Sequence, residues 1–307
     1  TDNMLDTAQS LAFREPTLED AAWAAPILRA ADYRACELSF TTIFMWRKYY
    51  HNQIARLGDT VFARSGDTEP VYLLPAGGNL RENIAFLREW EHERGETLLL
   101  FGADGEMKDR IDGWFPGVFE WEPSPNDFDY LYNTEDLVNL AGKKYHAKRN
   151  HIAGFSAAYD WRYEPITPQN TDEVIEMTRE WCRLRGNCED PGLKNENCAI
   201  REALRNREAL SLKGGLIRVG GDGGRVVAMT MGSPINREVF DIHVEKALPD
   251  YAAAYAVINR EFAAREIMGR YPLINRENDL GIEGLRRAKK SYHPARILEK
   301  YLGTERS

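Results

Sequence analysis

The chain has 307 residues, 43% of them hydrophobic and 11% aromatic, and 40 basic against 48 acidic side chains leave a net charge of −8. At about 150 residues per domain this suggests about two domains with substantial cores, and it excludes a disordered chain, a collagen and a histone-like duplex binder. No run of 18 apolar residues is present, so no transmembrane segment is expected, and residues 1–10 lack an export signal, which makes the cytoplasm the expected location. Of the four cysteines, Cys182, Cys188 and Cys198 cluster without a CxxC pair, which favours reduced thiols over a zinc site.

In chain order, residues 11–17 read as an extended run and Thr17-Leu-Glu-Asp20 as the cap of a helix from 21 to about 33. A second helix follows, then strands 53–57 and 61–64 about a Gly58-Asp59 turn, strand 71–74, helix 80–94 and strand 97–101. After a join at 136–158 the plan repeats. Residues 159–166 are extended, 167–173 resemble a cap, and a helix carries Val174, Met177, Trp181 and Leu184. Strands 215–219 and 225–232 flank a glycine-rich turn, followed by strand 239–244, helix 251–268 and strand 271–275. This predicts an α/β (α+β) chain of two units, 1–158 and 159–307, each a mixed, mostly antiparallel sheet flanked by helices. The order matches the acyltransferase fold of the GCN5-related (GNAT) type, duplicated in tandem.

Three features point to chemistry. Within an acidic chain, Gly142-Lys-Lys-Tyr-His-Ala-Lys-Arg-Asn-His151 and Arg286-Arg-Ala-Lys-Lys290 are concentrated positive charge, which suits phosphates of a nucleotide, a transfer RNA or a lipid headgroup. On a helix, Lys148 and Arg149 fall beside an apolar stripe of Tyr145, Ile152, Phe155 and Tyr159, at the edge of a packed face. In strand 239–245, alternation sends Asp241, His243 and Glu245 to one face, a row that could relay protons or hold a metal. The loop Asn275-Arg-Glu-Asn-Asp-Leu-Gly281 follows the neighbouring strand, and its acids would line the same cleft or simply favour the next helix N-terminus. The stretch 246–255 has no glycine and carries Asp250 where a pyrophosphate would lie, so coenzyme A is disfavoured as a donor. No Walker loop or GxSxG motif is present.

Gly142-Lys-Lys, Lys148-Arg-Asn with Phe155, His243-Val-Glu-Lys-Ala247, Ala254-Tyr-Ala-Val-Ile-Asn-Arg-Glu-Phe262, the run from Asn275 to Arg286 and Ala288-Lys-Lys-Ser-Tyr-His-Pro294 together resemble the phosphatidylglycerol lysyltransferase C-terminal-domain family. Asn278 stands where that family often has a second Asp. The resemblance covers almost the whole chain and implies a tandem acetyltransferase-like fold, similar also to Fem-type aminoacyltransferases. It implies transfer of an acyl or aminoacyl group, with aminoacyl-tRNA as co-substrate, to a hydroxyl or amine on a small-molecule, lipid-headgroup or peptide acceptor.

That reaction needs a base, for which Glu245 aided by His243 is the first choice, with Glu277 or Asp279 as alternatives. Backbone amides near His243 would hold the oxyanion. Lys144, Lys148, Arg149, Arg286, Lys289 and Lys290 would hold the donor's phosphates, and Asp241 and Asn275 would line the substrate site. No metal or resident cofactor is expected. A coenzyme A-dependent N-acyltransferase and a non-catalytic binder of RNA or another anion are the competing readings. The first half has no His-Val-Glu-Lys equivalent and reads as scaffold.

Overall fold

The computed structural model describes residues 10–186 and 191–307, so Cys188 and residues 1–9 lie outside the described residues. The chain opens with α1 (Ala21–Ala30), α2 (Phe40–Met45), α3 (Arg47–Tyr50), β1 (Gln53–Leu57), β2 (Thr60–Ser65), β3 (Val71–Leu73), α4 (Leu80–His92), β4 (Leu99–Ala103), α5 (Gly105–Trp114) and β5 (Phe119–Pro123). It continues with β6 (Asp129–Asn133), α6 (Thr134–Asn139), α7 (His146–Ala158), β7 (Trp161–Pro165), α8 (Thr171–Leu184), α9 (Pro191–Arg205), β8 (Lys213–Val219), β9 (Arg225–Pro234) and β10 (Val239–Ala247). It closes with α10 (Ala254–Phe262), β11 (Leu273–Asn275), α11 (Glu283–Lys290), β12 (Arg296–Leu298) and β13 (Tyr301–Glu305).

The two strand-to-helix corners are built alike. The Thr17 amide donates to Asp20 Oδ2 at 2.7 Å and the Thr167 amide to Asn170 Oδ1 at 2.8 Å, so each corner supplies a side-chain acceptor to backbone left unpaired by the turn. Helix α8 buries Val174, Met177 and Trp181 on one face as their spacing predicts, while Leu184 at its C-terminal end is half exposed. The long helix expected over 251–268 is instead a 3-10 turn (Pro249–Tyr251), α10 and a π-helical turn (Ala263–Ile267), because the hydrogen-bond ladder widens where α10 ends.

The strands form two sheets, β1-β2-β3-β4-β13-β5 and β12-β6-β11-β10-β9-β8-β7. In each, one pair is parallel, β3 with β4 and β10 with β11, and a helix (α4, α10) makes the crossover that parallel pairing requires. The repetition of this plan makes the chain two GNAT-like units in tandem. The units exchange strands: β6 pairs with β11 and β12 in the second sheet, and β13 returns between β4 and β5 in the first. A division at 158/159 therefore passes through both sheets. Each exchanged strand covers ladder groups that would otherwise be left as an edge.

The units are also joined by side chains. Arg47 forks onto Glu202 at 2.7 and 3.1 Å, Thr41 Oγ1 donates to Leu210 O at 2.8 Å, and Asn236 Nδ2 donates to Tyr33 O at 2.8 Å.

Candidate active site

Strands β10 and β11 are in register only from Val239↔Leu273 to Asp241↔Asn275. Beyond that point β10 runs on along β9 to Ala247 while β11 ends, so the two strands fork. A β-bulge lies between Ile242 and Val244, at His243. It breaks the alternation, so the expected row of Asp241, His243 and Glu245 does not form as such. Asp241 and His243 stay together, with His243 Nδ1 3.3 Å from Asp241 Oδ2, while Glu245 is bound elsewhere. Its place beside the imidazole is taken by Glu277, whose Oε1 lies 3.0 Å from Nδ1. Ser233 Oγ, on β9 opposite Asp241, is 2.7 Å from His243 Nε2.

The loop after β11 is shaped to present Glu277. Glu277 has φ +61°, a left-handed backbone that costs a non-glycine residue free energy and persists only where neighbours impose it. Asn275 Oδ1 accepts the Glu277 amide at 2.7 Å, the Glu277 carbonyl accepts from the Tyr130 amide at 3.2 Å, and Lys289 Nζ donates to the carbonyls of Arg276 and Asn278. The Glu277 side chain is 20% exposed, against 1% for His243 and 0% for Asp241, so it is the most accessible member of the cluster. Burial, then the neighbouring charges of Glu277 and Asp129, raise the Asp241 carboxyl well above its ordinary range. Neither of its oxygens accepts a hydrogen bond.

A second group of charges is built around Arg276, the residue before Glu277. Arg276 donates to Glu245 Oε1 at 2.9 Å, and its guanidinium lies 4.7 Å from the Tyr292 ring centroid. Its Nη1 is buried without a partner. Lys148 Nζ sits 4.1 Å from the same ring, and burial followed by the Arg276 charge depresses its pKa. Glu245 also accepts from Asn259 Nδ2 at 3.0 Å, so an amide and a guanidinium occupy the residue expected to be the base.

The two basic segments adjoin: Tyr145 donates to Tyr292 O at 3.0 Å and His293 Nε2 lies 3.2 Å from Lys144 O. Several cations expected to hold phosphates are engaged in structure, however. Arg149 donates to Leu140 O and Gly142 O, Arg286 pairs with Asp279 at 3.0 Å, and Lys289 holds the 275–278 loop. Lys144 and Lys290 are exposed. Asp279 is tied down as well. Burial raises its pKa, but Arg286, the Tyr130 hydroxyl and the Gly281 amide outweigh it and hold the carboxyl at about 2, which makes it a poor base.

Asn275 links the fork to a second buried cluster: its Nδ2 donates to Asp129 Oδ2 at 2.9 Å and Arg34 O at 3.0 Å. There Lys300, fully buried, donates to Asp129 Oδ1 at 2.9 Å and to both Glu37 oxygens at 2.6 and 2.7 Å, while the Cys36 thiol lies 3.2 Å from Asp129 Oδ1. Clefts of about 310 Å³ beside Trp46 and Arg201 and about 330 Å³ beside Pro234 and Arg270 contain none of the fork's charged residues. Sequence reasoning missed Ser233, Arg276 and the Lys300 cluster. Arg276 alone carried a signal, as the central residue of Asn275-Arg-Glu277.

The sequence profile described as phosphatidylglycerol lysyltransferase, C-terminal, matches residues 28–303. A crystal structure of a conserved Bacteroides thetaiotaomicron protein of unknown function is 39% identical, with 97% of this chain and 100% of that one covered and a TM-score of 0.90. L-PGS from Bacillus licheniformis is 14% identical with a TM-score of 0.67 over 96% and 94% of the two chains, and FemX is 8% identical with a TM-score of 0.59 over 95% and 96%; both share the fold. An uncharacterized Mycoplasmoides gallisepticum protein, MYCGA3080, is 22% identical over 195 residues, and the match spans 60% of each chain. No helix among the described residues is long and apolar enough to cross a membrane. With its profile match running through both units and the fork, the chain belongs to the phosphatidylglycerol lysyltransferase C-terminal family.

Proposed function

We propose that this chain is an aminoacyltransferase that moves an aminoacyl group from a tRNA ester to a hydroxyl or amine acceptor at the β10–β11 fork. The observation that carries the reading is the fork itself: a partly exposed carboxylate, Glu277, stands against a buried imidazole at 3.0 Å, and the residue before it, Arg276, carries a buried guanidinium with Lys148 near it. Family membership supplies the reaction class.

In this mechanism Glu277 takes the proton from the acceptor as its oxygen or nitrogen attacks the ester carbonyl, and His243 keeps the carboxylate oriented. The base role moves from Glu245 to Glu277, because both Glu245 oxygens are already engaged, by Asn259 and by Arg276. The unpartnered Arg276 Nη1 and Lys148 receive the anionic part of the donor, and backbone amides at the His243 bulge face the developing oxyanion. The new ester or amide forms as the bond to the tRNA ribose breaks, and the ribose hydroxyl recovers a proton. Coenzyme A is not the donor in this reading, since the turn from Leu248 to Ala253 offers no glycine to cradle a pyrophosphate.

The test is to incubate the chain with charged tRNA and pooled lipid, peptide and small-molecule acceptors, following the labelled amino acid. Transfer is expected, with Glu277→Gln slower by about 10² to 10⁴. No transfer from any charged tRNA, or full activity in Glu277→Gln, overturns the assignment.

A further inference from the structure

Among the described residues two trios of candidate metal ligands occur, Cys36/Glu37/Asp129 and Asp241/His243/Glu277. They differ in one respect. The first already contains its cation, since the buried Lys300 ammonium lies between Glu37 and Asp129. The second has no fixed positive charge bonded to it. Arg276, next in the chain, is turned to Glu245, and Lys289 is spent on backbone carbonyls. Asp241 is fully buried with both oxygens lacking a hydrogen-bond donor, a large cost for a carboxylate unless something cationic fills the gap.

The spacing says which kind of cation fits. His243 Nδ1 lies 3.0 Å from Glu277 Oε1 and 3.3 Å from Asp241 Oδ2, and the three ligand atoms all fall within 4.8 Å of one another. Metal–ligand distances of about 2.0–2.2 Å put adjacent donors in a tetrahedral or octahedral shell about 2.8–3.6 Å apart. An ammonium, with contacts of about 2.8 Å, spreads its acceptors to about 4.5 Å. His243 Nε2 lies 2.7 Å from Ser233 Oγ, and in the tautomer that donates Nε2–H to this hydroxyl the Nδ1 lone pair is directed at the gap, as outer-shell partners arrange for metal-bound histidines.

We infer that Asp241, His243 Nδ1 and Glu277 bind one small divalent metal ion of the zinc or manganese type. The mixed imidazole and carboxylate donors suit such ions. This departs from the sequence expectation of a metal-free site. The ion would share the fork with the transfer reaction proposed above: Glu277 would ligate through one oxygen and keep the other for the acceptor's proton, while an open coordination position polarises the acceptor. Its presence is read without any substrate, so failure here leaves the transferase reading standing, and the reverse holds too.

The experiment uses the untagged full chain, stripped by dialysis against a chelator and then given manganese or zinc chloride. Metal content after gel filtration, isothermal titration and thermal unfolding are measured. One ion per chain and a raised Tm are expected. Asp241→Asn, which replaces a ligand oxygen while keeping the side chain's shape, should show no metal-induced rise. Ser233→Ala, which leaves all three ligands in place, should weaken binding about 10- to 100-fold. Wild-type protein that retains neither metal above the buffer blank and whose Tm neither moves, or both variants binding as wild type does, overturns the inference.

Discussion

At the residue scale, Lys300 and Asp241 are two outcomes of burying charge. Lys300 is held above its ordinary pKa although burial works to lower it, because Asp129, the Cys36 thiol and Glu37 together outweigh that penalty. Removing one partner of a buried ion pair leaves the others uncompensated, so Lys300→Met should destabilise the protein by about 3–5 kcal/mol, measured by urea unfolding. Asp20 gives a pH prediction. Burial raises its pKa, but Arg14, the Thr17 amide and Trp23 outweigh burial and hold it below the usual carboxylate range. A depressed folded pKa contributes stability that is present above about pH 4 and is lost as the pH falls through the folded value. The urea midpoint of Asp20→Asn should therefore depend less on pH below 4 than that of the wild type. Residues at this scale were only partly legible. His243 and Asp241 announce themselves by alternation along one strand. Glu277 displaces Glu245 because a single bulged residue reverses the facing of everything after it, and no local pattern marks where a bulge falls. Ser233 reaches His243 through hairpin register, a pairing that nine intervening residues conceal.

At the element scale, the basic runs divide by task. In the Arg286–Lys290 segment, Arg286 and Lys289 are consumed in fastening the 275–281 loop, and Arg149 in α7 caps the carbonyls that end α6. Lys148 is different, since it is held near Arg276 on the Tyr292 ring and burial disfavours its charge until an anion arrives. Lys148→Ala should weaken tRNA binding uniformly across sequences and reduce the slope of log affinity against log salt by about 1, measured by filter binding at several salt concentrations. An unchanged slope would remove Lys148 from the phosphate contacts. Charge density in the sequence singled out two segments that the structure places side by side, through Tyr145 with Tyr292 and Lys144 with His293. It did not separate cations that bind carbonyls from those left for a ligand, since the acceptors, such as Leu140 O and Asn278 O, are backbone atoms with no sequence signature.

At the scale of the whole molecule, the order of elements was legible in both halves because each corner, turn and crossover helix repeats with similar chemistry. The strand exchange was not. Residues 129–133 read as an ordinary strand, and nothing local says that their partners lie near 274 and 297. A fragment of residues 159–307 lacks β6, leaving one side of β11 unpaired, and it carries β13 without its partners β4 and β5. This fragment should lack a cooperative thermal transition by circular dichroism, whereas the full chain should unfold in one transition. Two resolved transitions in the full chain would contradict the interlocked reading.

The interlock also constrains motion. Hinge closure needs a connection that bends at a few residues, but here the chain passes between the two sheets twice, before β6 and before β13, and the Arg47–Glu202, Thr41–Leu210 and Asn236–Tyr33 contacts would have to break for one sheet to swing from the other. In the proposed reaction a bulky donor is then admitted by local rearrangement along the rim of the cleft, where the Arg276–Gly281 turn, fastened by the ammonium of Lys289, the amide of Asn275 and the guanidinium of Arg286, would be the gatepost.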